Sequence, residues 1–154
     1  MNQNPKTKLY EGCIMIRELK ETDIGQIADI WLDTNIKAHD FIPTQYWRGN
    51  FDAVKEMFKQ AEIYVYEDRK KIQGFIGLNK EYIEGIFVTA KAQSQGIGKL
   101  LLDFVKKRKK ELHLSVYQKN TRAVQFYQRE QFVIQSENID DNTNQKEYVM
   151  IWRK

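Results

Sequence analysis

The sequence predicts an α+β fold, an α/β sandwich in which helices pack on one mixed sheet. Three observations predict it. Segments with a period of two interleave with segments whose apolar residues recur at helical steps. Taken in order they give βααβββαβαββ, about six to seven strands and about four helices. The chain has 154 residues, the size of one domain with a sizeable core at roughly 100–200 residues per domain. Residues 1–13 are expected to form a loose N-terminal arm, and residues 14–154 the single folded domain.

The elements follow from local pattern. Met15, Ile16, Arg17, Glu18 and Leu19 alternate apolar with polar and form the first strand. Thr22 or Asp23 can cap the helix that follows, in which Ile24, Ile27, Ala28 and Trp31 share a face. Residues 39–47 are polar and aromatic. A second helix over residues 52–61 turns Val54, Met57, Phe58 and Ala61 inward. Residues 63–66 and 72–78 form a hairpin across a charged turn, with Gly74 and Gly77 weakening the second strand or marking bulges. Residues 82–88 form another strand. A glycine-spaced loop at 93–98 then opens a helix whose Ile97, Leu100, Leu101, Phe104 and Val105 share a face. Leu112, Leu114 and Val116 alternate as a buried strand. Asn120 can cap a helix that turns Ala123, Phe126 and Tyr127 inward. Residues 132–136 and 147–152 close the chain as two strands around a turn at 140–144.

Composition narrows the function classes. Hydrophobic residues are 42% and charged residues 30%, the balance of a soluble globular chain. No stretch approaches the roughly 18 apolar residues of a membrane span, and the polar start does not resemble a signal peptide. The single Cys13 cannot make an internal disulfide, which fits a reducing cytoplasm. His39 and His113 stand far apart, so a Cys/His zinc site lacks ligands and no metal is expected. The net charge of +4 and the basic run at 106–110 admit nucleic acid, an acidic membrane surface or a phosphorylated ligand as partner. No nucleic-acid-binding motif accompanies the run, and neither nucleic acid nor membrane is expected.

The loop Gln93-Ser94-Gln95-Gly96-Ile97-Gly98 carries chemistry. Glycines let a backbone approach closely, and a helix N-terminus offers unpaired N–H groups and a positive dipole end to an anion. A P-loop is excluded because Leu100 follows Lys99 and no glycine stands five before Gly98. A dinucleotide fingerprint is excluded because its third glycine would fall at Leu101. Taken alone, the loop is equally a tight turn into a helix.

The downstream stretch Asn120, Ala123, Phe126, Tyr127 and Phe132 changes that. Together the two segments resemble the GCN5-related N-acetyltransferase (GNAT) family. Its acetyl-coenzyme A loop is [QR]-x-x-G-x-[GA], matched from Gln93 to Gly98, and its later motif is N-x-x-A-x-x-F-Y-x-x-x-G-F. The likeness extends over nearly the whole chain, and residues 39–47 and 116–120 look like a bacterial subgroup of small acetyltransferases, at least one of which acetylates protein lysines. One departure stands at Gln131, where the family has glycine. If that position needs positive φ, glutamine costs about 1 kcal/mol there, and a locally altered turn is expected.

The resemblance implies a GNAT-like fold, acetyl-coenzyme A as cosubstrate, an amine acceptor and a monomer or homodimer. It implies that Tyr127 protonates the leaving thiolate, since a phenol with a pKa of about 10 is protonated at neutral pH. The cofactor would lie against Ile86, Phe87 and Val88 on the preceding strand, splayed from its neighbour. It would also contact Gln93, Ser94, Gln95, Gly96, Ile97, Gly98 and Lys99 of the loop, and Asn120, Ala123, Phe126 and Tyr127 downstream. Backbone N–H groups near Phe87 and Val88 would meet the oxyanion. By period two, Tyr82, Glu84 and Ile86 share a strand face. The resemblance implies a Glu or Tyr on that face as base, acting through water, so Glu84 and then Tyr82 are the candidates, with His39 third. His39, Phe41, Tyr46 and Trp47 are expected to line the acceptor pocket, opposite the final hairpin. His113 and Ser115 lie on one strand face without the rest of a triad and are structural. The basic run falls in the C-terminal half of the loop's helix, as a solvated helix end. A different class, an acyl-coenzyme A-binding module without catalysis, shares the same loop and stays open.

Overall fold

The structure, a computed structural model, describes residues 7–9 and 13–154. Eight strands form one sheet: β1 (Lys8–Leu9), β2 (Ile14–Glu18), β3 (Glu62–Asp68), β4 (Lys71–Asn79), β5 (Tyr82–Val88), β6 (Glu111–Tyr117), β7 (Val133–Asp140) and β8 (Gln145–Arg153). Their order is β1-β2-β3-β4-β5-β6-β8-β7. Five α-helices accompany them: α1 (Ile24–Ala38), α2 (Thr44–Gly49), α3 (Phe51–Phe58), α4 (Ile97–Lys106) and α5 (Thr121–Arg129). This is the expected α+β sandwich. It adds α2 inside the aromatic stretch and pairs Lys8 and Leu9 of the arm with Ile16 and Met15. The other arm residues, apart from Thr7 and Cys13, lie outside the described residues. Among the described residues no helix is long and apolar enough to cross a membrane.

The alternation of β3 divides the core. Tyr64 and Tyr66 pack with α4 and α5 on one face, while Ile63 and Val65 pack with α1, α2 and α3 on the other. The expected helix cap at Asp23 is absent. Its carboxylate accepts instead from the Lys20 N–H at 2.8 Å and from the buried Arg17 guanidinium at 2.7 Å. Glu67 also meets Arg17 at 3.0 Å, so this buried cation is compensated from two elements.

One sheet feature positions the site. β5 pairs with β4 along its whole length, but its parallel pairing with β6 covers only Tyr82 with His113 and Ile83 with Leu114. Beyond those two positions the strands part. β5 also carries a bulge at Glu84, because Gly77 opposes Gly85 while Leu78 opposes Ile83. The bulge corrects the expectation that Tyr82, Glu84 and Ile86 share a face. Ile83 and Ile86 both pack against the α4–α5 cluster although they stand three positions apart, so one residue has been inserted between them.

Gln131 also differs from expectation. It adopts φ 73°, yet the turn is not altered. The Phe132 N–H donates to Tyr127 O at 2.9 Å and the Gln131 N–H to Gln128 O at 3.1 Å. These are the two bonds of a Schellman motif. Its apolar contact is the Tyr127–Phe132 ring pair, with centroids 5.6 Å apart. Glutamine therefore sits in a glycine conformation that the two bonds and the ring contact hold in place. Gln131→Gly should stabilise the fold by about 0.5–1 kcal/mol, a rise in Tm of roughly 1–4 °C in thermal unfolding. An unchanged or lower Tm would show that the left-handed glutamine carries no strain.

Candidate active site

A cleft of about 720 Å³ opens where β5 and β6 part. Ile86, Phe87 and Val88 of β5 form one wall, and Asn120, Ala123, Phe126 and Tyr127 of α5 another. The loop before α4 and the end of α1 close the rim. Of the residues expected to hold a cofactor, all but Gln95 line this cleft.

The loop is shaped by two left-handed residues, Ser94 at φ 64° and Gly96 at φ 82°. They bring the chain into α4 at Ile97, so the N–H groups of Ile97, Gly98 and Lys99 have no helical carbonyl to bond. The two glycines differ in their reasons. Gly96 needs its positive φ, whereas a Cβ on Gly98 would only touch the Phe126 ring at 3.4 Å. Gln93 donates to Val88 O at 3.0 Å and accepts from Arg122 at 2.9 Å. Arg122 also donates to the Ser94 hydroxyl at 2.9 Å, so one arginine of α5 ties down the loop at two points. Sequence reasoning passed over Arg122 because it fills a variable position of the motif.

The rim is cationic. Lys37, Lys119, Arg122 and Arg129 face the cleft, and Lys99 does so while pairing with Glu130 at 3.1 Å. Thr34 and Asn35 also line it, signalled in the sequence only as polar residues late in α1. The basic run lies elsewhere than expected. α4 ends at Lys106, so the run begins at the last residue of the helix and continues beyond it rather than forming its second half. Nor is it merely solvated, since Lys106 donates to Glu130 O at 2.6 Å and Lys109 pairs with Glu62 at 2.9 Å.

Tyr127 is buried on α5, edge-on to Phe126 and Phe132 at 5.3 and 5.6 Å. Burial, with Tyr82 adding to it, pushes its phenol pKa well up, so it keeps its proton. Asn120 caps α5 through the Ala123 N–H at 3.3 Å, and its Nδ2 lies 3.2 Å from His39 Nε2. His39 is buried and stacks on Trp47, with centroids 5.2 Å apart.

Tyr82 and Glu84 do not line this cleft. Tyr82 stands at the closed end of the parted strands, opposite His113 and hydrogen-bonded to Ser115. Glu84 is exposed on the bulge, and its partial removal from water raises its pKa. His113 lies 2.9 Å from Glu111. Of the aromatic stretch only His39 reaches the cleft. Trp47 is a core residue edge-on to Trp31, and Phe41 and Tyr46 are half-buried beside them. Tyr46 does face the final hairpin, where Asp140 raises its pKa after burial does.

Residues 34–145 match the sequence model of the Acetyltransferase (GNAT) domain. The chain is 34% identical over 140 residues to the peptidyl-lysine N-acetyltransferase YiaC of Escherichia coli, covering 90% of this chain and 96% of that protein. It is 25% identical to the peptidyl-lysine N-acetyltransferase YjaB of the same organism, covering 79% of this chain and 83% of that protein. The apo solution structure of E. coli YjaB superposes with a TM-score of 0.81 at 22% identity, over 90% of this chain and 97% of that one. The PaiA N-acetyltransferase of Thermoplasma acidophilum, solved with coenzyme A, gives 0.74 at 16% identity, over 92% and 99%. A split sheet, an anion-ready helix start and both sequence motifs thus occur together in a chain that belongs to the GNAT family of acetyltransferases.

Proposed function

We propose that this acetyltransferase acetylates a primary amine, first of all a protein lysine, using acetyl-coenzyme A held between the parted strands. The observation that carries the proposal is the cleft itself, which joins free helix N–H groups, a cationic rim and the Tyr127 phenol. The residues fit the group. The N–H groups of Ile97, Gly98 and Lys99 suit a pyrophosphate, and the unpaired stretch of β5 suits a pantetheine arm lying as an extra strand. When bound, the thioester supplies the acetyl group. Backbone N–H groups near Phe87 and Val88 stabilise negative charge on its carbonyl oxygen. Tyr127 donates its proton to the departing sulfur as the carbon–nitrogen bond forms and the carbon–sulfur bond breaks. We assign the base to Glu84 although it stands outside the cleft, exposed on the β5 bulge with Tyr82 beside it, so that it takes the proton the amine loses only through intervening water. A lysine amine with a pKa of about 10.4 needs such a base at neutral pH.

The acceptor is supported by the YiaC likeness, which spans nearly both chains. The test is a panel of a lysine peptide, the same peptide with only a free N-terminus, and spermidine, followed by thiol release. Fastest turnover on the lysine peptide is expected; transfer to none of them would overturn the proposal.

Tyr127→Phe should lower kcat about a hundredfold while leaving coenzyme A affinity within about twofold. Unchanged kcat would remove Tyr127 from the reaction. Gly96→Ala should weaken coenzyme A binding about fivefold or more, since alanine disfavours φ 82°, whereas Gly98→Ala should bind nearly as wild type. Equal loss in both would place the effect elsewhere than in backbone conformation. Glu84 acts as a base only when ionised, so activity should fall as pH drops through its raised pKa. In Glu84→Gln that limb of the kcat profile should disappear, with a loss of about tenfold at neutral pH.

A further inference from the structure

His39 makes two directional contacts from a buried position. The residue is 9% exposed and its ring is clamped by three aromatic neighbours. It stacks on Trp47 with an interplanar angle of 26°, and meets Phe41 and Tyr117 edge-on at 5.6 and 5.2 Å. Nδ1 lies 3.1 Å from the carbonyl oxygen of Asn35, which can only accept, so Nδ1 carries the hydrogen. Nε2 is then a bare acceptor, aimed at Asn120 Nδ2 at 3.2 Å.

Asn120 has its own constraint. The Ala123 N–H, an otherwise unpaired donor in the first turn of α5, requires the amide oxygen. Turning the amide over would set N–H against N–H at Ala123 and carbonyl against a bare nitrogen at His39. The two neighbours therefore select one orientation, and Asn120 keeps a second N–H. Asn120 lines the cleft beside the unpaired stretch of β5, where that N–H can serve a carbonyl.

We propose that His39 is a positioning residue: its neutral Nδ1–H form fixes the Asn120 amide so that one N–H is presented to a carbonyl of the pantetheine arm. The inference rests on the reading that the cleft holds acetyl-coenzyme A. It gives His39 a role other than base or acceptor contact. It also explains why an imidazole sits among aromatic rings, where it joins the end of α1 to the start of the helix that carries Tyr127.

Protonation of His39 would remove the acceptor and set N–H against N–H. Burial lowers its pKa, and the bond to Asn35 opposes that shift in part. The charged and titratable groups around it are engaged elsewhere. Tyr117 gives its hydroxyl proton to Asp140 at 2.6 Å, Lys37 pairs with Asp33 at 2.9 Å, and Lys119 sits over the Phe41 ring at 5.6 Å. Asp40 follows next in the chain. Coenzyme A affinity should thus fall as pH drops through the pKa of His39, which burial holds below the ordinary imidazole range.

The experiment titrates coenzyme A into the full chain by calorimetry, without acceptor, so that lysine specificity does not enter. His39→Gln can place an oxygen where Nε2 was, and His39→Asn keeps a polar group near Asn35 but cannot reach Asn120. His39→Asn should weaken binding about five- to tenfold, and His39→Gln by no more than about twofold. In an Asn120→Ala background His39→Asn should add nothing. The 3′-phosphomonoester of the ligand titrates near pH 6, so the wild-type pH profile is compared with that of His39→Gln, which lacks the histidine component. Equal losses in the Gln and Asn variants, or a His39→Asn effect that persists without Asn120, would overturn the proposal. As a check that survives weak binding, Asn120→Asp should raise the His39 pKa seen by NMR above its wild-type value, and an unmoved pKa would also overturn it. A wild-type chain that binds no coenzyme A would overturn both this inference and the reading beneath it.

Discussion

The rest of the structure depends on a parallel pairing that is abandoned after two residues. Strands β5 and β6 share only Tyr82–His113 and Ile83–Leu114 before they part. In a continuous sheet each backbone N–H and C=O between neighbours is satisfied. Here the C-terminal half of β5 keeps β4 on one side and presents its other edge to the cleft. An exposed edge inside a fold is a liability unless something extended lies along it. The bulge at Glu84 sits one residue past the last pairing, and bulges bend and twist a strand. The divergence is therefore built into the backbone.

Once the strands part, α5 must hold Tyr127 against the gap, and several contacts keep it there. Arg122 ties the start of α5 to Gln93 and Ser94. At the far end, Lys106 reaches from α4 to Glu130 O while lying over the Trp152 ring at 5.2 Å. The Schellman turn then returns Phe132 against Tyr127 itself. Charge-assisted bonds at both ends and a ring contact at the phenol fix the helix without filling the cleft. That arrangement would suit the proton-donor role proposed for Tyr127, in which position matters more than acidity.

The fold was largely legible because its elements obey simple periods. The strand of Leu112, Leu114 and Val116 and the apolar stripe of α4 needed only alternation and helical spacing. The loop was legible because positive φ at a helix start leaves a glycine in the sequence, and Gly96 is that glycine. The face assignment of β5 was not. A bulge leaves no reliable mark in composition, and the residue it inserts, Glu84, is an ordinary carboxylate. The Gln131 turn was misjudged for the reverse reason. Its glycine is missing, but the conformation is imposed by bonds from Gln131 and Phe132 and by the ring contact. Thr34, Asn35 and Arg122 were hidden because a cleft assembled from distant segments has no local period.

The same logic bears on the aromatic stretch. Phe41, Tyr46 and Trp47 look like a substrate box in sequence, yet Trp47 belongs to the core with Trp31. A buried indole cannot grip a free ligand, but it can hold an imidazole by its face. The stretch and the later motif meet at one hydrogen bond, between His39 and Asn120, 81 residues apart in the chain. Each partner there is already committed to a backbone group, His39 to Asn35 O and Asn120 to the Ala123 N–H. Such doubly committed groups resist rotation, because moving either one leaves two polar atoms unpaired at the edge of an apolar core. On the reading proposed for His39, the aromatic cluster reaches the cleft through the geometry of one amide.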